Sequence, residues 1–581
     1  MEDHPDLVVS VDLGTTFTGV AWMRHGIPIQ IVNDWPGSDD RGDRKVPTTT
    51  VYNADGSIST WGFMCADDDH DPSKTRREFF KIFLDPDTLE AAQQQGLTNV
   101  PRSTVEARRF VTDYLKLVYA HVKDSIEIRM GIKHVGGWGT LAVLFLFSAP
   151  TTWTSMAVVN AFKGAIHDAG FGTEGSRHLA LVDLTESEAA AVATLKTGAV
   201  DLKANSIFLT VDAGGGTTDL ALMRVESTNF NFPQLSQVTA TAHSPGLSRK
   251  EWLRIPTSDC PPILRRAWPG VQDSRVSNTS LEKSRLSLPI TVVFNGSLTM
   301  TVCNREDIQA LFDVHIEAIM QRIKQRLEWL RDEGHFEQVG YVILSGGLGS
   351  SAYVREALQE HLTKLQHPNA RNIIVIPSQD PQLVVARGVL ENKRQRMESS
   401  NKSVLSSWIA RASYGVIVQE VYMPAQHFDE DIRQDPWNPD VKWATNQIQW
   451  LIKKGDTVNP DTPINKLFEI RLKDGDTTRA WDAEIVVSNN EPQWLPRSLK
   501  QAGAMKLCSV KSNLAGIEQH QLVLKEKRGT CFRRGHKFYI CRFDIRVIVA
   551  PVDLRFELWF NKTKFSGNHQ PVSVQWDAAE K

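Results

Sequence analysis

One local pattern occurs twice in this chain, ending on Asp12 and on Asp212, 200 positions apart, and it restricts the fold to one that holds two similar hairpins. The first copy is Leu7-Val8-Val9-Ser10-Val11-Asp12, then Leu13-Gly14-Thr15-Thr16, then Phe17-Thr18-Gly19-Val20-Ala21-Trp22. The second is Ile207-Phe208-Leu209-Thr210-Val211-Asp212, then Ala213-Gly214-Gly215-Gly216-Thr217-Thr218, then Asp219-Leu220-Ala221-Leu222-Met223. Each is an apolar strand ending in Asp, a Gly/Thr turn and a second β-prone run. A P-loop or a dinucleotide turn would feed a helix instead, and the Gly-x4-Gly-Lys-Ser/Thr pattern does not occur. Both of those nucleotide-binding designs lose weight.

Between and after the hairpins the hydrophobic period changes. Ser155 to Ala169 carries apolar residues at 159, 162, 166 and 169 and stops at Gly170, the spacing of one helix face. A strand at Leu179 to Val182, an Ala-rich helix from Glu186 to Lys196 and a longer helix from Asp307 to Leu330 follow. Strands alternating with helices predict an α/β core. Near residue 400 the texture shifts: Ser399-Ser400-Asn401-Lys402-Ser403 reads as a linker, and later runs such as Cys541 to Val547 alternate with a period of two. The predicted boundaries are 1–198, 199–395, a linker at 396–412 and a β-rich domain at 413–581.

Composition excludes several classes. The 581 residues suggest about three to five domains. The net charge of −2 is far from that of a dedicated nucleic-acid protein, so the basic cluster Arg533-Arg534-Gly535-His536-Lys537 reads as a solvated loop. The longest apolar stretch, Leu141 to Phe147, is a buried strand and far short of the roughly 20 residues of a membrane span. No membrane or nucleic-acid partner is expected. The acidic start lacks a secretory signal, and the cysteines at 65, 260, 303, 508, 531 and 541 show no zinc spacing, so they read as reduced thiols.

The chemistry lies in the turns. Gly-rich turns gather backbone N–H groups into a concavity and threonine hydroxyls add donors, so two facing hairpins would clamp a polyphosphate. Asp12 and Asp212 would then hold magnesium, through its waters because Mg²⁺ dehydrates reluctantly. The plainer alternative is two ordinary β-turns. A third Gly-rich turn, Ser345-Gly346-Gly347-Leu348-Gly349, follows the strand Tyr341 to Leu344; it reads either as a ligand-approaching turn or as a simple strand-to-helix connection.

Together, Asp12-Leu13-Gly14-Thr15-Thr16, Asp212 through Asp219, and Ser345-Gly346-Gly347 resemble the two phosphate motifs and the adenosine motif of the actin-like ATPase superfamily. The pattern is most similar to the seventy-kilodalton heat-shock (DnaK-type) chaperones, in particular their divergent family-12 branch. Phe147 to Trp153 and Asp380 to Gly388 also look like the family's connecting segments, and the likeness covers about residues 7 to 395. It implies an α/β fold of two lobes with duplicated ribonuclease-H-like cores closing over ATP or ADP with Mg²⁺, and a β-rich C-terminal domain.

Carried over by position, the resemblance implies magnesium at Asp12 and Asp212, and phosphate contacts from Thr15, Thr217 and Gly214 to Gly216. It places Gly14, Thr16, Thr218 and Asp380 among the nucleotide-binding positions and Gly346 and Gly347 on the nucleoside side. Glu186 would organise metal and water, with a solvated helix-start carboxylate as its plainer reading. Lys283 matches the adenosine-gripping lysine or is a surface lysine, within a short subdomain at about 243–298.

Departures temper the expected activity. Gly62-Phe63-Met64-Cys65-Ala66 stands where the family has a lysine that neutralises phosphate charge, with Ala66 in the lysine's place, and Ser350 replaces the arginine that packs on the base. Lys81 is a replacement cation or a snorkelling surface lysine. Losing one such electrostatic stabiliser costs about 10²–10³ in rate, so a slow ATP hydrolase is expected. The family's interdomain linker is not recognisable between 395 and 413, and a helical lid after the β-rich part is not expected. The expected protein is a cytoplasmic or nuclear chaperone-like ATPase that binds client proteins and cochaperones. A noncatalytic scaffold or a small-metabolite kinase are the alternatives.

Overall fold

A computed structural model describes residues 4–38, 42–68, 71–97, 99–153, 155–198, 200–229, 231–238, 288–294, 297–303, 305–399, 402–427, 431–436, 438, 440–459, 462, 464–475, 480–513, 516–527, 536–552, 554–564 and 574–576. Contacts divide the chain into two units, Met1–Trp153 with Ala161–Leu405, and Thr154–Asn160 with Ser406–Lys581.

In the first unit, β1 (Leu7–Leu13) and β2 (Phe17–Met23) form an antiparallel hairpin. β3 (Gln30–Ile31) and β4 (Lys45–Pro47) both pair with β2. A small sheet of β5 (Thr49–Tyr52), β6 (Ile58–Trp61) and β7 (Thr75–Glu78) follows. Then come α1 (Pro86–Gln94) and α2 (Thr104–Arg129), whose N-cap side chains Asp85 and Ser103 each accept a backbone N–H of the first turn. β8 (Val143–Ala149) lies parallel to β1, and β9 (His178–Thr185) parallel to β8, with α3 (Met156–Asp168) between them in sequence. β1 and β8 are buried along their whole length, as parallel neighbours covered on both faces require.

α4 (Glu186–Thr197) starts at a capping box of Thr185 and Glu188 and stops at Gly198, which is left-handed. The second sheet repeats the pairing pattern of the first. β10 (Ile207–Ala213) and β11 (Thr218–Ser227) form the hairpin, and β12 (Gln234–Gln237) extends it. The strands β13 (Leu288–Phe294) and β14 (Ser297–Cys303) pair with each other, and α5 (Arg305–Asp332) follows. β15 (Val339–Ser345) is parallel to β10, and β16 (Ile374–Pro377) parallel to β15, with α6 (Ala352–Leu365) between them in sequence. Ile316, Ile319, Ile323 and Leu327 of α5 join β10, β15 and α6 in one apolar core. Their spacing of three and four residues puts them on one face of the helix.

α7 (Val384–Glu398) crosses α4 at small residues: a Cβ on Gly388 would lie 2.6 Å from the Ala189 carbonyl carbon and 3.1 Å from its Cα. Only glycine permits that approach of two backbones.

In the second unit, β17 (Leu405–Ile409), whose first residue closes the first unit, and β18 (Ser413–Val421) precede β19 (Ile432–Gln434), β20 (Lys442–Ile452) and β21 (Thr457–Val458). The strand at 405–409 falls inside the stretch expected to be linker; Trp408 is buried and pairs with Val458, which a solvated tether would not do. β22 (Ile464–Lys473), β23 (Ala480–Ser488), β24 (Met505–Asn513), β25 (Val523–Lys527), β26 (His536–Val549), β27 (Leu554–Phe560), β28 (Thr563–Lys564) and β29 (Val574–Trp576) complete two antiparallel sheets. Their orders are β19-β20-β18-β23-β24-β29 and β22-β26-β27-β28, with β25 also on β26. On β26 the residues Cys541, Phe543, Ile545 and Val547 are buried while Arg542 is exposed, the period of two expected there. The basic cluster falls mostly outside the described residues, and its Lys537 lies on β26, paired with Glu526 at 2.7 Å. Among the described residues no helix is long and apolar enough to cross a membrane.

Candidate functional site

Each hairpin closes in the same way. The Gly14 N–H donates to the Phe17 carbonyl at 3.1 Å, and the Gly214 N–H donates to the Thr217 carbonyl at 3.0 Å. The first turn is braced by Thr48, whose hydroxyl donates to the Gly14 carbonyl at 2.9 Å and whose N–H donates to the Thr16 carbonyl at 2.8 Å.

The two turns meet tip to tip. A Cβ on Gly215 would stand 2.5 Å from the Thr16 hydroxyl oxygen, and one on Gly216 would stand 2.6 Å from that of Thr15. No other residue type fits there without parting the tips. The sequence pattern therefore names residues that the fold brings into one place, although they are 200 positions apart at Asp12 and Asp212.

Behind the tips lies a cluster of buried acids. Asp12, at the end of β1, accepts from Lys45 Nζ at 2.9 Å and from the Ser148 hydroxyl at 3.3 Å. Asp212, at the end of β10, accepts from the Ser345 hydroxyl at 2.8 Å. Burial and then the charge of Asp12 push the Asp212 carboxyl up to about 6. Glu186 opens α4 and is buried, not a solvated helix-start acid. Burial pushes it up to about 8 against the opposing Lys81, with Asp219, Asp12 and Asp212 adding to the rise. Lys81 is buried, not snorkelling; it sits 2.5 Å from Glu186 Oε1 and 5.6 Å from the centre of the Trp153 ring. For Lys45 burial favours the neutral amine, yet Asp12, Asp212 and Glu186 outweigh it and raise its affinity for the proton.

Two members were not picked out from the sequence. Asp219 pairs with Asp212 across the β10–β11 hairpin, and residues directly opposite each other share a sheet face. That register was readable once the turn was placed. One Asp219 oxygen accepts from the Thr151 N–H and hydroxyl, while Oδ2 is buried with no hydrogen-bond partner in the described structure. Lys45 lies on a three-residue strand with no periodic signal, and only the fold brings it to Asp12.

The nucleoside-side positions fall unevenly. Gly346 has φ +81° and packs on the strand end of Asp212: a Cβ there would be 2.9 Å from Asp212 Oδ1. Gly347 lies in the same short helical turn, Gly346–Gly349, and Ser350 is exposed after it. Asp380 is held by the Arg44 guanidinium through both carboxylate oxygens, one bond at 2.9 Å, and by Arg387 Nε at 3.3 Å. Thr217 is part of the turn and Thr218 is buried at the start of β11. Lys283 lies outside the described residues, as do residues 243–287 of the adenosine-side subdomain and the side chain of Ala66.

Asp12, Asp212, Asp219 and Glu186 lie together here, with Lys45 and Lys81 among the cations that act on them. Burial first, and then the neighbouring carboxylates, make Asp212 and Glu186 bind protons so readily. A hydrated divalent cation would relieve the charge on these carboxylates, and the orphaned Asp219 oxygen offers an acceptor for a metal-bound water. No group of three or more His, Cys, Asp or Glu side chains forms a direct metal cage among the described residues. The unpartnered Asp219 oxygen fits an ion that keeps its water shell.

These features define a mixed α/β protein consistent with a heat-shock-70-like ATPase fold. A chaperone protein HscA homolog from Aromatoleum aromaticum (strain EbN1) is 26% identical over 400 residues, 66% of this chain. The match spans 57% of that relative's length. At this level it supports a heat-shock-70-like, actin-like ATPase kinship. Residues 408–578 match a family described as a domain of unknown function (DUF8568).

Proposed function

We propose that the protein binds ATP and ADP with Mg²⁺ between two lobes built on duplicated ribonuclease-H-like cores, as a slow ATPase of the heat-shock-70 kind. The observation that carries this reading is the contact of Gly215 and Gly216 with Thr16 and Thr15 above a buried acidic cluster. Two ordinary surface turns would have no reason to meet so closely. The repeated strand pairing supports the two-lobed reading, and the HscA likeness supports nucleotide binding and a chaperone-like role with client proteins. The family-12 assignment rests on the sequence motifs.

Asp12, Asp212 and Asp219 are the residues proposed to hold magnesium through water. Bound magnesium would neutralise phosphate charge. Gly14 to Thr16 and Gly214 to Thr218 would hold the phosphates by N–H and hydroxyl donors, with Gly346 and Gly347 beside them. Glu186, fixed by Lys81, is the carboxyl proposed to organise the metal and the attacking water. Titration calorimetry with Mg·ATP and Mg·ADP, joined to single-turnover hydrolysis, is the test. Micromolar binding and slow phosphate release are expected, and absence of binding would refute the assignment.

A noncatalytic scaffold is the second reading. Ala66 in the lysine's place favours it, and tight nucleotide binding without phosphate release would select it.

A further inference from the structure

Three strands carry Asp12, Gly19 and Lys45 in one row. Asp12 of β1 pairs with Gly19 of β2, and Gly19 pairs with Lys45 of β4. Residues opposite one another across antiparallel strands share a face. The middle position has no side chain, and the lysine uses the space: a Cβ on Gly19 would lie 3.0 Å from Lys45 Cε and 3.3 Å from its Cγ. The lysine stem therefore runs over Gly19, and Nζ reaches Asp12 Oδ2 at 2.9 Å. Its side chain is 18% exposed. Lys81, 2% exposed, is instead enclosed by Glu186 and Trp153.

We propose that Lys45 is the ammonium by which this site recognises the terminal phosphate of a nucleoside triphosphate, resting on Asp12 as its counter-ion when no nucleotide is bound. The inference deepens the nucleotide-binding reading and depends on it. A lysine ammonium is a compact charge with three donors on a flexible stem, so it can exchange one oxygen partner for another without moving the backbone. Lys45 stands among Asp12, Asp212 and Glu186, the groups assigned to metal and water, so the phosphate within its reach is the one that water attacks. Arg44, the preceding residue, holds Asp380 and fixes the strand from which the lysine extends.

The test compares Mg·ATP and Mg·ADP binding by calorimetry in the full chain, for wild type, Lys45→Gln and Lys45→Arg, with circular dichroism to check folding. Lys45→Gln should weaken ATP by about tenfold or more and ADP by less than about threefold, with Lys45→Arg recovering most of the loss. Equal losses for both nucleotides, or no loss, would overturn the assignment. A measurement on the wild type is independent of any variant's folding. Adenosine diphosphopyridoxal carries an aldehyde where the terminal phosphate would sit; it condenses with a nearby amine, releasing water, and borohydride reduces the imine to a stable amine. Lys45 should carry the label, and ATP should protect it. Labelling of another lysine, Lys81 included, contradicts the proposal. Wild type that binds neither nucleotide would refute the nucleotide reading together with this one, whereas normal binding with an unchanged ATP-to-ADP preference in Lys45→Gln refutes Lys45 alone.

Discussion

Asp212 is held with its proton affinity raised, and this has a consequence for stability. Its carboxyl stands at about 6 in the folded chain against an ordinary value near 3.8, because it is buried and faces Asp12. Between those two values the folded state binds the extra proton, so stability falls as pH rises through that window and the penalty persists above it. Glu186 acts in the same sense, from its ordinary 4.5 up to about 8. Asp212→Asn removes the Asp212 penalty while keeping an acceptor for the Ser345 hydroxyl. The nucleotide-free variant should therefore be more stable than wild type at pH 8, by on the order of 1–3 kcal/mol, with the difference vanishing near pH 4. Urea melts at the two pH values decide this, and a destabilised variant at pH 8 would count against the electrostatic account. The same variant should bind Mg·ATP poorly, since function and stability pull this carboxyl in opposite directions.

The hairpin tips and the α4–α7 crossing are where a single methyl group matters. Gly216→Ala places a Cβ 2.6 Å from the Thr15 hydroxyl oxygen, so the tips must part. ATP affinity should fall by about tenfold with an unaltered far-ultraviolet spectrum, because positioning is lost while the strands survive. Gly388→Ala acts at a distance. Its Cβ would press on the backbone of Ala189 in α4, the helix that carries Glu186, and overpacking of this kind costs about 1–3 kcal/mol. A lower thermal midpoint together with slower single-turnover hydrolysis is expected; an unchanged midpoint would show that the helices can slide apart freely.

For the chain as a whole, the division into two units predicts two unfolding transitions in calorimetry. Ligand that binds only folded protein stabilises by about 2.7 kcal/mol at 100 times its dissociation constant. Mg·ADP should move the transition of the unit holding residues 12, 212 and 346 and leave that of the β-sheet unit where it was. A shift of the β-sheet transition alone would place the nucleotide site elsewhere.

Much of this architecture could be read directly from the residues. Apolar strands ending in Asp12 and Asp212, glycines where backbones must approach, and the 3.6 and 2.0 periods of α5 and β26 are local, and local patterns survive in a sequence. Asp219 was legible too, as the last residue of the second motif and the one directly opposite Asp212. Tertiary structure alone decided the rest. That Lys81 is enclosed with Glu186 across 105 positions, and that Lys45 reaches Asp12 over the bare face of Gly19, depends on which strands become neighbours. A lysine's sequence context shows neither the face it shares nor the partner it meets, because burial and charge pairing are properties of the folded neighbourhood.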